Sequence, residues 1–163
     1  MSERLMTEEL TAQALRPDQE LVKKATLRAL ERRVGQDEVQ RFVMKATSNS
    51  VPVPIGATAS LGIAVWGKVH CEPDGQPWLF DTTVWGGPVY FGESVGFMYT
   101  AYETWDDFFR NVTACHAQGF AEEGGILQIN WFNADGVPVG QFNGLAGGIG
   151  LVEAGGAGTW QQK

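Results

Sequence analysis

Apolar residues recur every three or four positions up to about residue 50, and every second position after Pro54. The first pattern predicts helices. Thr7 can cap a turn through Ala14, and Pro17 suits the first position of a second helix ending near Gly35. In that helix Leu27, Leu30 and Val34 form one apolar line, and Val22, Ala25 and Ala29 form another. Asp37 can cap a third helix, in which Val39, Phe42, Val43 and Ala46 fall at i, i+3, i+4 and i+7. This last stripe is the best packing surface of the segment. Ser48 to Pro54 then reads as a linker, because each proline blocks helix and extends the residue before it.

From Ala57 to Cys71 the odd positions are small or apolar and the even ones largely polar, which predicts one long half-buried strand. Pro73-Asp74-Gly75 turns the chain, Trp78–Trp85 is a second strand, and Gly86-Gly87 is a tight hairpin turn. Val89–Glu93 and Val95–Tyr102 follow, with a bend near Ser94. Thr104-Trp105-Asp106-Asp107 opens a short helix through about Arg110. Further strands are expected at Val112–Gln118, Ile126–Phe132 and Val137–Asn143, and at Gly147–Glu153 together with Gly158–Gln161. Alternation puts Leu61, Ile63, Val65, Leu127, Ile129 and Trp131 inside, and Gln128 and Asn130 on the opposite face. About eight strands at hairpin spacing predict a closed eight-stranded antiparallel β-barrel carrying one short helix, preceded by a short α-helical N-terminal arm. Closure removes the exposed edges that such strands would otherwise leave.

Composition divides the chain at the same place. Residues 1–50 hold nine Lys/Arg and eight Asp/Glu, a charged and nearly neutral arm. Residues 51–163 hold three Lys/Arg against eleven Asp/Glu, a balance of −8, with all six Trp and twenty of the 21 Gly. The expected organisation is therefore a helical arm, 1–50, and a barrel domain, 51–163. An acidic barrel repels phosphate backbones, so nucleic acid is not an expected partner. The early acids and the lack of an apolar run in the first residues do not fit a signal peptide. No run reaches membrane-spanning length. The chain as encoded is thus expected to be cytoplasmic and not membrane-spanning, with a non-classical export route left open.

The run Leu127-Gln-Ile-Asn-Trp-Phe-Asn-Ala-Asp-Gly-Val-Pro-Val-Gly140 resembles the virulence-associated proteins, the Vap family, of Rhodococcus equi. Gly-Gly-Pro-Val-Tyr-Phe-Gly at 86–92, Met98-Tyr99-Thr100 before an acidic short helix, and the glycine-rich tail ending at Trp160 extend the likeness over roughly residues 55–163. The resemblance implies an eight-stranded antiparallel barrel with one short helix and a variable N-terminal region. It also implies secreted proteins that help intracellular bacteria persist in phagocytes, with no established enzymatic activity. The chain is expected to depart from that pattern in its first residues, which do not read as a secretion signal, and in its charged, helical N-terminal region. A shared fold does not carry a function across.

His70-Cys71 and Cys115-His116 supply the right number of ligands for tetrahedral zinc, yet neighbours in a strand point to opposite faces and the spacing is wrong. Cys71 and Cys115 then read as small buried thiols. Asp106-Asp107 and Glu122-Glu123 fit a helix first turn and a polar turn, and Asp81 a surface position. The glycines at 147–150 lack the Lys-Ser/Thr of a phosphate loop. Asn111-Val112-Thr113 matches a glycosylation pattern that would need secretion. No catalytic residue, cofactor or metal is assigned. Parity exposes Trp66, Trp85 and Tyr102, which could touch a protein, a lipid or a small apolar ligand, or be covered by the Phe42 stripe. The expected function is a non-enzymatic barrel acting by surface contact, a virulence-associated or host-interaction factor. The alternative is a small-molecule-binding barrel, or a barrel enzyme of isomerase or cyclase type, with an apolar aromatic-lined site.

Overall fold

A computed structural model describes residues 19–30, 34–46, 52–120, 125–146 and 151–163. The anticipated turn at Thr7–Ala14, most of the linker at 48–54, the acidic pair Glu122-Glu123 and the glycines at 147–150 lie outside them, wholly or in part. Two arm helices are present, α1 (Gln19–Leu30) and α2 (Gln36–Ala46). Nine strands follow: β1 (Ile55–Ile63), β2 (Trp66–Pro73), β3 (Trp78–Gly87), β4 (Tyr90–Thr100), β5 (Ala114–Phe120), β6 (Ile126–Phe132), β7 (Pro138–Ala146), β8 (Leu151–Ala157) and β9 (Trp160–Gln162). A short helix, α3 (Trp105–Asn111), separates β4 from β5.

The order β2-β1-β4-β7-β6-β5-β8-β3 closes through a β2–β3 pairing, and every ladder is antiparallel. The eight-stranded barrel is therefore as expected, with β9 added as a ninth short strand on β3. Helix α3 begins as its sequence implies: Thr104 Oγ1 accepts the Asp107 N–H at 3.1 Å. Its Phe108 and Phe109 are buried in the barrel core. Gly140 makes that possible, since a Cβ there would lie 2.2 Å from the Phe108 ring.

Alternation fixes the inner face. Leu61, Ile63, Val69, Phe80, Val84, Met98, Leu127, Ile129, Trp131 and Phe142 are all fully buried there. The single strand expected over Ala57–Cys71 is instead a hairpin, and Val65 lies in its turn, 69% exposed, not inside. The pattern hid the turn because Ile63 pairs with Gly67. An odd number of residues between the paired positions keeps odd side chains inward on both arms. Ala64-Val65-Trp66 also lacks the usual turn residues. Gly67 permits the close approach, as a Cβ on it would fall 1.8 Å from Gly62 O.

The expected bend near Ser94 is likewise absent. Tyr90–Thr100 runs as one strand paired with β1 and β7, and the Ser94 hydroxyl donates to Leu145 O at 2.7 Å. The turn anticipated at Gly86-Gly87 falls instead at Pro88-Val89, because β3 continues through Gly87 and β4 begins at Tyr90.

Candidate contact surface and the covered outer face

Two parts of the outer face carry side chains that ordinary barrel construction does not require. The first is at the end formed by the β1–β2 and β3–β4 turns. Trp66 and Trp85 are directly opposed partners across β2 and β3, and both point outward at 59% and 63% exposure. Val65, Val89 and Phe91 come from the same turns and strand starts and are exposed with them. The reason lies in parity: Val84 and Tyr90 face inward, so their neighbours face out. Trp85 also stands at the wall of an outer groove of about 740 Å³, lined by Gly155, Gly156, Ala114 and Phe132.

Tyr102 is not part of this patch. It lies just past the far end of β4, half-buried, in a groove of about 270 Å³ with Phe42 and Arg41 of α2 and Pro138 of β7. The structure thus brings Trp66 and Trp85 together and separates Tyr102 from them. Nor does the Phe42 stripe cover the two tryptophans. Phe42, Val39, Leu30 and Ala29 instead form a second apolar cluster on Phe132. In α1 the sequence lines separate: Ala25, Thr26, Ala29 and Leu30 are buried, whereas Leu27 is exposed.

The second part is the outer face of β5, β6 and β7. Gln118 pairs with Gln128, Gln128 with Asn143, and Asn130 with Gln141. All five are buried beneath α1, although Gln128 and Asn130 alternate with the core residues as solvent-facing side chains would. Gln118 Nε2 donates to Gln128 Oε1 at 2.8 Å and to Ala25 O at 2.6 Å. Gln128 Nε2 donates to Asn143 Oδ1 (2.8 Å) and Thr26 Oγ1 (3.2 Å). Gln141 Nε2 donates to Asn130 Oδ1 and to Thr26 Oγ1, both at 2.8 Å. Asn143 Nδ2 and Asn130 Nδ2 complete the network on Gln141 Oε1 and Gln128 Oε1. The sequence signal was present, in Gln and Asn at alternate positions of three strands, but it does not reveal what lies over them.

The remaining candidates are dispersed. Cys71 and Cys115 point into the core and are not joined in a disulfide. Burial pushes the Cys71 thiol far above its ordinary pKa, with Glu72 and Asp74 adding to the effect. Its sulfur sits 4.0 Å from Met98 Sδ, apart from the outward His70. His70 Nδ1 is 3.2 Å from Asp81 Oδ2, and Lys68 Nζ is 3.0 Å from Asp81 Oδ1. Asp81 is therefore a surface residue, as expected. Among the described residues no cluster of three metal-ligating side chains occurs.

The interior of the barrel is occupied by rings. Trp131 packs 5.5 Å from Phe108, 5.9 Å from Phe80 and 5.3 Å from Trp160, and Phe109 lies 4.9 Å from Trp160. The indole N–H groups of Trp131 and Trp160 meet no acceptor among the described residues, so ring packing holds this cluster.

This fold has counterparts among solved structures. The virulence-associated protein VapB from the intracellular pathogen Rhodococcus equi matches with a TM-score of 0.54 at 21% identity, over 68% of this chain and 98% of that one. The fold is that of the Vap proteins. VapD from the same organism matches with a TM-score of 0.52 at 19% identity, covering 67% of this chain and 97% of its own. The Vap-type barrel thus accounts for nearly the whole length of those proteins and leaves part of this chain outside the match. No family profile and no curated protein matches the sequence.

Proposed function

We propose that the chain is a non-enzymatic Vap-like barrel that acts by surface contact through its apolar end, in a virulence-associated or host-interaction role. One observation carries this reading: the exposed Trp66–Trp85 pair framed by Val65, Val89 and Phe91. Leaving several large apolar side chains together in water is unfavourable, and such patches mark contact sites. The ring-filled interior favours this reading over a ligand held inside the barrel.

The surface that fits is apolar and uncharged. The barrel segment is strongly acidic, which disfavours an anionic partner, and tryptophan is suited to the boundary between lipid and water. Vesicles of neutral phosphatidylcholine carrying brominated chains provide the probe. Contact should quench tryptophan emission in the wild type, and Trp66→Ser with Trp85→Ser should weaken binding by roughly tenfold or more, as expected when central aromatic anchors are lost. Emission that is unchanged by vesicles, or binding that survives the double substitution, would overturn the proposal.

A further inference from the structure

We propose that the amide face of β5, β6 and β7 is a binding site for a neutral oligosaccharide, and that α1 is the lid that covers it. The inference does not depend on the role of the apolar end. It begins from a contrast between α2 and the part of α1 that precedes Ala29. Helix α2 is held by Val39 and Phe42 in an apolar cluster with Phe132, which is the ordinary way to fasten a helix to a sheet. Helix α1 enters the same cluster only at its C-terminal end, through Ala29 and Leu30; before them, at Ala25 and Thr26, it lies over the amide face of Gln118, Gln128, Asn130, Gln141 and Asn143. The donors beneath it reach backbone at Ala25 O (2.6 Å) and Val22 O (3.4 Å), and Gln128 and Gln141 both reach the Thr26 hydroxyl, the helix side chain that answers them.

Apolar residues would fasten α1 more simply, since buried polar groups must find partners to avoid a penalty. They would also make the face costly to uncover. Five carboxamides can be wetted, so lifting α1 from them, with Leu30 left in its apolar cluster, exposes little apolar surface. The same side chains are suited to sugars. Each carboxamide has two N–H donors and an acceptor oxygen in one plane, which complements hydroxyl groups that donate and accept. None of the five is ionisable, which favours an uncharged ligand, and His116, the cross-strand partner of Asn130, is the ionisable neighbour on this face. Phe97 and Tyr99 of β4 are the cross-strand partners of Asn143 and Gln141, half-buried beside the amides, where a ring can stack on the C–H face of a sugar. Four adjacent strands make a platform about 14 Å across, wide enough for a short oligosaccharide. A further sign of a ligand is Gln118 Oε1, which is buried and accepts no hydrogen bond among the described residues.

A closed lid lowers apparent affinity by the fraction of molecules that are open. The test therefore uses the full chain as wild type and as Ala25→Arg, whose long charged side chain cannot remain under α1. Maltohexaose, cellohexaose, mannohexaose and chitohexaose are the probes, measured by titration calorimetry. Ala25→Arg should bind at least one of them roughly tenfold more tightly than the wild type. Adding Gln128→Ala should remove that gain. In the wild type, saturation with the same sugar should speed hydrogen exchange in residues 19–30 and leave β6 protected. A folded Ala25→Arg protein with fast exchange in α1 that binds none of the four sugars overturns the proposal. Binding that is indifferent to Gln128→Ala overturns it equally. Should Ala25→Arg fail to fold, Thr26→Val removes only the hydroxyl that accepts from Gln128 and Gln141, and the same outcomes decide.

Discussion

Strand β6 has two buried faces built from opposite materials. Leu127, Ile129 and Trp131 turn inward to a core of rings and aliphatic chains, while Gln128 and Asn130 turn outward to amides and a helix. Both sets are fully buried. The inner face needs no partner geometry beyond close packing, and any apolar side chain of the right volume would serve it. The outer face depends on hydrogen bonds that must all be made at once, so one missing member strands the others. Burial is therefore shared between the faces, and the form of stabilisation is not.

Neighbouring substitutions separate the two. Ile129→Ala should cost about 2–5 kcal/mol in urea denaturation, through lost transfer energy and the cavity left behind. A cost below about 0.5 kcal/mol would mean that Ile129 does not fill the core as described. One residue earlier, Gln128→Ala should cost about 1–3 kcal/mol, because the donor of Gln118 and the acceptor of Asn143 lose their partner. If Gln128→Ala proves neutral, the amides are solvated in solution and α1 is not seated on them.

The smallest effect is expected at the open surface. Partial burial alone would raise the Asp81 pKa, but hydrogen bonds from Lys68 and His70 outweigh it and leave it below the ordinary carboxylate value. A depressed folded value stabilises the protein above the unfolded pKa of about 3.9, and that contribution is lost as pH falls through the folded value. Asp81→Asn should accordingly lower stability at pH 7 by at most about 1 kcal/mol, given its exposure, and the difference from wild type should shrink below about pH 4. Urea titrations at both pH values check this. A difference that grew on acidification would reverse the assigned sign.

Much of the barrel was legible in the sequence because one-sided burial imposes a period of two, and β6 and the Thr104 cap carry their signals locally. The β1–β2 turn was hidden because its pairing preserves parity through Val65, at residues with no turn chemistry. Trp66 and Trp85 were legible as exposed, though not as partners, since the register of β2 on β3 depends on how many residues the turn after Pro73 takes up. Of their companions, Val65 belongs to the hidden β1–β2 turn, and Val89 and Phe91 flank the first residue of β4. The covered amides were out of reach for a different reason. Alternation distinguishes two faces of a strand and says nothing of a helix arriving from about a hundred residues away, as Thr26 does at Gln128 and Gln141.

The seating of α1 on the amides is tested most directly by a double-mutant cycle between Thr26→Val and Gln141→Leu, which flank the 2.8 Å bond from Gln141 Nε2 to Thr26 Oγ1. Equilibrium unfolding of the wild type, both single variants and the pair should give a coupling of about 1 kcal/mol, within the range for residues sharing a buried network. Strict additivity of the two substitutions would contradict the account, because it would place Thr26 and Gln141 out of contact in solution.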